Sequence, residues 1–260
     1  MATEVGISER REHALEIISQ KGFVSLGELA DALAVSDSTI RRDLEALEQG
    51  GGIRRTHGGA VCVAEPPASR LGFADREATA AAEKRAIAAT VAASVEDNQV
   101  IILNGGTTCY QVAAATAGRR ICVVTNSVPI ASLLGGEIDT EVTLLGGYLY
   151  PRTGVALGAA AEEMLGALRA DRVVMSCAAA NPDGVFNVNE MMTAVERRMI
   201  AVADEVVLAV DHTKFGKRAI AHLCGWEDVD LLVTDAGVDA ETTAWLKRRQ
   251  VNVVVAGGDS

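Results

Sequence analysis

The segment Asn104-Gly105-Gly106-Thr107-Thr108 follows the apolar run Val100-Ile101-Ile102-Leu103 and opens a helical stretch. Strand, glycine loop, helix is an anion-binding arrangement. The glycines let backbone N–H groups approach a ligand, the helix N-terminus adds partial positive charge, and Thr107 and Thr108 offer hydroxyls. Three further apolar runs end on loops of similar chemistry: Ile121-Cys122-Val123-Val124 leads into Thr125-Asn126-Ser127, Val142-Thr143-Leu144-Leu145 into Gly146-Gly147, and Val206-Val207-Leu208-Ala209-Val210 into Asp211-His212-Thr213-Lys214-Phe215-Gly216. Lys214 is the one cation in these loops. A lysine with glycine-loop amides suits phosphate, and Asn126 with the threonines suits hydroxyls, so these residues fit a small phosphorylated sugar or polyol. Each has a plainer use when read singly: a glycine turn, a solvated surface lysine, a turn asparagine. Convergence of the loops is what gives the pattern weight.

A different chemistry stands near the N-terminus. Ile40, Leu44 and Leu47, at i, i+4 and i+7, form the inner side of a helix that begins at Ser36, a good N-cap, with Asp37 set against the positive end of the dipole. At 100° per residue the opposite side presents Ser38, Arg42 and Gln49, with Thr39 and Arg41 on the flanks. A recognition helix enters the DNA major groove N-terminal end first, where arginine pairs with guanine and Ser or Thr reaches bases or phosphates. Asp43, Glu45 and Glu48 lie further along and would repel phosphate, which confines the approach to the first two turns. Downstream, Ile53-Arg54-Arg55-Thr56 and Ala60-Val61-Cys62-Val63 flank His57-Gly58-Gly59 as a small hairpin, a wing carrying two arginines. Ser36, Ser38, Thr39, Arg41, Arg42, Arg54, Arg55 and His57 are thus the candidate DNA-contact residues. The plainer alternative is a three-helix cap with an ordinary solvated face.

The elements that must position these residues divide the chain. A helix from Arg10 to Gln20 stops at Gly22; a second starts at Ser25, with Glu28 completing a capping box and Leu29, Ala30 and Leu33 buried; Ala34-Val35 is the turn before the third. The expected fold is therefore an α+β winged helix-turn-helix over 1–63, a linker over 64–75 stiffened by Pro66-Pro67, and an α/β domain over 76–260. In the latter, an Ala-rich helix from Ala80 to Ser94 precedes alternating strands and helices. Alternation implies a mainly parallel sheet whose loop tips meet in the crevice at the C-terminal strand ends.

Composition bounds the rest. Of 260 residues 49% are apolar and 23% charged, with formal net charge −11 and pI about 4.9. Length permits one large domain or two ordinary ones. No apolar run approaches the roughly 20 residues of a membrane helix, and the charged first twenty residues do not read as a signal peptide, so a cytoplasmic protein without a membrane partner is expected. Cys62, Cys109, Cys122, Cys177 and Cys224 are too far apart for C-x2-C pairing, and core packing is their expected use. His57, His212 and His222 have no partner at ligand spacing, so neither metal nor cofactor is expected. Residues 1–63 hold seven basic and ten acidic side chains, a net of −3, and the remainder −8. Total charge speaks against nucleic acid, so the case for DNA rests on where the charge stands.

Ser38-Thr39-Ile40-Arg41-Arg42-Asp43-Leu44, followed by Arg54-Arg55-Thr56-His57-Gly58-Gly59-Ala60, closely resembles the signature of the DeoR family of bacterial transcriptional repressors. That resemblance implies operator binding, with Ser38, Arg41 and Arg42 at double-stranded DNA and Arg54 and His57 on the wing. The remainder resembles the family's sensor domain, related to ribose-5-phosphate isomerase and similar sugar-phosphate isomerases, through Gly-Thr-Thr at 106–108, Val-Thr-Asn-Ser at 124–127, Leu-Gly-Gly at 145–147, Thr-Lys-Phe-Gly at 213–216 and Leu-Val-Thr-Asp at 232–235. By resemblance these loops bind a phosphorylated sugar or polyol effector, at Asn104, Gly105, Gly106, Thr107, Thr108, Thr125, Asn126, Gly147 and Lys214. Two departures stand out: Asn104-Gly105 replaces the family's Asp-Ser, and Met191-Met192 stands where an acidic residue is expected, with Glu190 close by. The competing reading is a sugar-phosphate isomerase with a DNA-binding arm. It needs a carboxylate base, for which Asp211, Asp183 and Glu190 remain, and the amide at position 104 argues against it. The expected protein is a non-catalytic regulator of a carbohydrate or polyol operon, self-associated as a dimer or tetramer because paired half-sites multiply affinity.

Overall fold

The computed structural model describes residues 10–15, 17–18, 23–49, 53–56, 59–62 and 73–257. Gly22, Gly50 to Gly52, His57 and residues 63–72, with the Pro66-Pro67 link, lie outside the described residues. The chain divides into two compact units, residues 1–70 and 71–260.

In the first unit, helical residues at 10–15 and 17–18 are followed by β1 (Phe23–Ser25), α1 (Leu26–Leu33), α2 (Asp37–Gln49), β2 (Ile53–Thr56) and β3 (Gly59–Cys62). The expected capping box forms: Glu28 N donates to Ser25 Oγ at 3.3 Å, and Ser25 N to the Glu28 carboxylate at 2.9 Å. Helix α1 ends where Ala34 takes a left-handed conformation (φ 52°) and Val35 N reaches back to Ala30 O, which reverses the chain into α2. Ile18, Val24, Leu29, Ile40, Leu44, Ile53 and Ala60 fill one core. The wing hairpin pairs Ile53 with Cys62 and Thr56 with Gly59. The structure adds β1, antiparallel to β3. Three residues are too few for alternation to show in a sequence; the strand exists because the edge of β3 has backbone groups to satisfy.

The second unit is built on a seven-stranded sheet. After α3 (Phe73–Ala78) and α4 (Ala81–Ala93) come β4 (Val100–Leu103), α5 (Thr107–Thr116), β5 (Ile121–Thr125), α6 (Val128–Leu134) and β6 (Thr140–Leu144). Following β7 (Tyr148–Tyr150), β8 (Val155–Leu157) and α7 (Ala159–Gly166), the chain resumes with β9 (Ala170–Met175), β10 (Ala179–Asn181), β11 (Gly184–Asn187), α8 (Glu190–Ala201) and β12 (Ala203–Ala209). It ends with β13 (Ala221–Cys224), β14 (Leu231–Asp235), α9 (Ala240–Arg248) and β15 (Val253–Ala256). The sheet order is β15-β14-β12-β9-β4-β5-β6, with every pairing parallel. Helices cover both faces, so β4 and the C-terminal parts of β9 and β12 read as unbroken apolar runs. Two antiparallel additions, the β7-β8 hairpin and the β10-β11-β13 sheet, interrupt the alternation. Trp226 and Trp245 pack against each other, ring centroids 5.1 Å apart, and belong to the core. Among the described residues no helix is long and apolar enough to cross a membrane, and no cluster of side chains suits a metal ion. The described cysteines, Cys109, Cys122, Cys177 and Cys224, are free thiols.

Candidate functional site

Helix α2 turns Ile40 and Leu44 inward and leaves Ser36, Ser38, Arg41 and Arg42 exposed, with Thr39 half-buried. The Ser36 hydroxyl lies 2.9 Å from both the Ser38 and the Thr39 hydroxyls and accepts from Thr39 N at 3.4 Å, so Ser36 holds the first turn as its cap. Asp43 behaves unlike the repelling surface charge expected of it. It is buried, and Arg10 Nε and Arg11 Nε reach its two oxygens at 2.6 and 2.9 Å. Burial would raise its pKa, but the two arginines outweigh that and hold the carboxyl below its usual range. Arg55 is tied back to α2: its backbone N donates to Glu48 at 2.8 Å, and its guanidinium lies 3.4 Å from Glu48 and 3.6 Å from Glu45. Arg41 and Arg42 are therefore the exposed cations of α2, while Arg55 faces carboxylates. The Arg54 side chain and His57 lie outside the described residues.

In the α/β unit the chain builds β4, β5, β6 outward in one direction and β9, β12, β14, β15 in the other, so the switch point falls between β4 and β9. Sheets of this kind bind ligands there, beyond the carboxyl ends of the strands. Asn104 ends β4 at that point, yet its amide is fully used inside the protein. Nδ2 donates to Ser176 O and to Glu196 Oε1, both at 3.0 Å; Oδ1 accepts from Ser176 N at 3.0 Å and from the Cys109 thiol. Asn104 clamps β4 to the end of β9 instead of facing a ligand. Gly105 is likewise spoken for: a Cβ there would sit 1.9 Å from Val155 Cγ1, so this glycine makes room for β8. A Cβ at Gly106 would meet only Ser176 Cβ, at 3.6 Å, and this glycine precedes α5 in extended backbone with no side chain capping the helix.

The remaining loop residues divide similarly. Thr125 is buried, donating to Leu103 O at 2.8 Å and accepting from Ser127 N at 3.0 Å, a brace between strands. Gly147 (φ 136°) passes so close to Leu157 O that a side chain would collide at 2.5 Å. Asn126 is 2% exposed; its Nδ2 donates to Ala156 O at 3.1 Å, while its Oδ1 is buried with no hydrogen-bond partner. An orphaned acceptor at a strand end is what a ligand hydroxyl would satisfy. Thr107 Oγ1 donates weakly to Arg76 O at 3.4 Å, and Thr108 is buried beside it. Lys214 ends a single 3-10 turn after β12 and is half-buried.

Lys214 has cationic neighbours that the sequence does not announce. Lys84, on α4, is 2% exposed; Nζ donates to Arg76 O and to Thr79 O, and no carboxylate among the described residues lies within ion-pair reach. Burial pulls its pKa below the usual lysine value, Lys214 and Arg76 add to that, and Asp211 opposes it. Burial lowers Arg76 and Lys217 as well. The Arg76 Nε is buried without a partner. Positive groups from α3, α4 and the β12 loop are thus gathered at one place, with Asp211 and Glu77 the carboxylates that act on Lys84.

Behind the loop lies a second unannounced group. Glu196 of α8 is buried, accepting from Asn187 Nδ2 at 2.9 and 3.0 Å and from Asn104 Nδ2. Burial pushes its pKa up to about 7, against the pull of the two amides and of Arg197. Signals for both buried charges exist in the sequence: Lys84 shares a helical stripe with Ile87, Ala88 and Val91, and Glu196 one with Met192, Val195 and Met199. Of the proposed bases, Asp211 is buried with Oδ1 on Thr213 N at 3.1 Å, and Asp183 and Glu190 are exposed.

Residues 10–65 match the model of the DeoR-like helix-turn-helix domain, and residues 79–236 that of the DeoR C terminal sensor domain. The chain is 32% identical over 262 residues to the HTH-type transcriptional repressor CsqR of Escherichia coli, covering 99% of each chain. It is 33% identical over 235 residues to the glycerol-3-phosphate regulon repressor of Escherichia coli, covering 88% of this chain and 91% of that one. Among solved structures, a ribose 5-phosphate isomerase A of Methanocaldococcus jannaschii aligns over 54% of this chain and 56% of its own at 16% identity, TM-score 0.39.

Proposed function

The chain belongs to the DeoR family of transcriptional regulators, and from that premise we propose that it is an operator-binding repressor released by a phosphorylated sugar or polyol. What supports the ligand reading is three features after the strands of one sheet: an uncapped helix start at Gly106 after β4, the basic groups Lys84, Arg76 and Lys214, and the orphaned Asn126 Oδ1 after β5. Phosphate suits the first two and a hydroxyl the third. Ser38, Arg41 and Arg42 are the DNA-facing residues, and two such helices in a homo-oligomer read paired half-sites.

The α/β unit senses without catalysing. An enediol isomerisation needs a carboxylate at the substrate carbon, and position 104 holds an amide whose hydrogen bonds are all internal. Glu196 lies behind that amide, shielded from the crevice by its own partners. The test uses a duplex selected by the full chain from a random library, titrated with phosphorylated sugars and their unphosphorylated counterparts. Phosphorylated compounds alone should release the duplex, and Lys214→Ala should raise the concentration required at least ~10-fold. Release by the unphosphorylated set, or conversion of ribose 5-phosphate abolished by Asp211→Asn, would overturn the reading.

A further inference from the structure

The seven-stranded sheet ends on two edge strands, β6 and β15, and the edges differ in their chemistry. β6 contains Glu141 and follows Glu137 and Asp139, all three exposed, and charges of this kind keep another strand away. From Val251 to Gly257, by contrast, the β15 segment holds no charged residue and no proline. Val254 and Val255, on opposite faces of the strand, are 39% and 44% exposed. The ladder to β14 uses the backbone of residues 252, 254 and 256: Leu232 N donates to Asn252 O at 2.8 Å, with Leu232 level with Val253. The N–H and C=O groups of Val253 and Val255 therefore point outward, and among the described residues no strand meets them.

Beside this edge runs α9. It places Trp245 and Leu246 in the core cluster against which Val251 and Val253 pack, and Leu246 O accepts from Val251 N at 3.2 Å. Asp239 and Glu241 stand exposed at the start of α9, Lys247, Arg248 and Arg249 at its end. That placement suits the dipole of one helix. It also makes the helix self-complementary, because a second α9 lying antiparallel beside it would set each acidic end against a basic one.

Resting on the homo-oligomer in the reading above, we propose that β15 is a dimer edge, occupied by β15 of a second copy running antiparallel about a two-fold axis at Val254. In that register the outward groups of Val253 and Val255 exchange hydrogen bonds with those of the other copy, and Val254 meets its own counterpart in the close, non-hydrogen-bonded position. The same axis sets the two α9 helices antiparallel, acid against base. A specific dimer buries roughly 800 Å² on each partner, more than so short a strand supplies, so the flanking helices belong to the interface. Pairing β15 with β6 of a neighbour would run head to tail and extend into a chain of copies, whereas the two-fold contact closes at two and matches the symmetry of paired half-sites.

The experiment is oxidative cross-linking and mass measurement by light scattering of the full chain. Val254→Cys should form a disulfide-linked dimer on mild oxidation, because the close position brings the two Cα atoms to about 4.5 Å. Val255→Cys, equally exposed but off the axis, should not, nor should the wild type with its native thiols. Val254→Lys sets like charges across the axis, and Val255→Pro removes an outward N–H without touching the ladder to β14; each should halve the mass while circular dichroism stays that of the wild type. An oligomer of unchanged mass in Val254→Lys, with no cross-link in Val254→Cys, would overturn the β15 edge and leave the homo-oligomer standing. Cross-linking of Val255→Cys in place of Val254→Cys would overturn the register. A monomeric wild type would overturn both readings.

Discussion

The two units differ in how they hold their most deeply buried charges. In the first, Asp43 is neutralised by Arg10 and Arg11 from the N-terminal helical residues, while Arg41 and Arg42 stay in water. In the second, Lys84 is hydrogen-bonded to carbonyls and Glu196 to amides, and neither forms an ion pair among the described residues. On the function proposed above, the contrast follows from the partner each surface suits. A duplex is a hydrated polyanion whose binding releases counterions, so flexible solvated cations serve it well. A small anion has to be drawn out of water, and groups already desolvated hold it more strongly because the local dielectric is low. The first unit pairs its buried Asp43 and leaves Arg41 and Arg42 in water; the second pairs Arg172 with Glu205 but buries Lys84 and Glu196 with hydrogen bonds alone.

The sharpest way to break this comparison is pH. Glu196 is protonated more readily in the folded chain than in the unfolded one, so between about pH 4.5 and its folded pKa of about 7 the folded state binds the extra proton. Stability of the second unit should therefore fall as pH rises through that window, by on the order of 3 kcal/mol, and stay at the lower level above it. Glu196→Gln should remove this component in urea denaturation at pH 5 and pH 8. An identical pH difference in both proteins would mean that Glu196 is not the buried charge responsible.

The first unit should respond with the opposite sign. Asp43 has its pKa held down, so its contribution is present above the usual carboxylate range and disappears as acid protonates it. Asp43→Ala at neutral pH should cost about 2–3 kcal/mol, less than a fully buried pair would because both arginines are partly exposed. Amide exchange within residues 24–49 should accelerate while that of the β-sheet in the second unit does not. Uniform acceleration in both units would show that they unfold together.

Smaller effects sharpen the division between wet and paired cations. Arg42→Ala should weaken duplex binding by about 1–3 kcal/mol if it pairs with a base, and the loss should depend on sequence. Arg55→Ala should alter either stability or duplex binding by less than about 1 kcal/mol, because its exposed pairs with Glu45 and Glu48 already occupy it. Fluorescence anisotropy at two salt concentrations compares the variants; a loss for Arg55 as large as that for Arg42 would show that the wing arginine abandons its carboxylates for phosphate.

Much of the scaffold was legible because its causes are local. Ser25 and Glu28 announce a capping box three residues apart, Ile40 and Leu44 a helix face four apart, and the apolar runs at 100–103 and 206–209 strands covered on both sides. The site was legible in outline only. Asn104 and Thr125 stand where the loop pattern puts them, but both are turned inward as braces. Gly105 belongs to Val155. Arg76 and Lys84, which bring the positive charge, sit in stretches with no motif, visible at most as a lysine on an apolar stripe.

What the sequence by itself determined is the order of elements and the residue types at the strand ends, since caps, turns and periodicity act within a few residues along the chain. Which of those residues faces a ligand was decided only in three dimensions. Asn104 is satisfied by Ser176, 72 residues away, and by Glu196, 92 away. The Arg76 carbonyl is reached by a hydroxyl 31 positions downstream. Desolvation depends on whatever packs over a group, and here the covering atoms come from distant strands and helices whose approach no local pattern encodes.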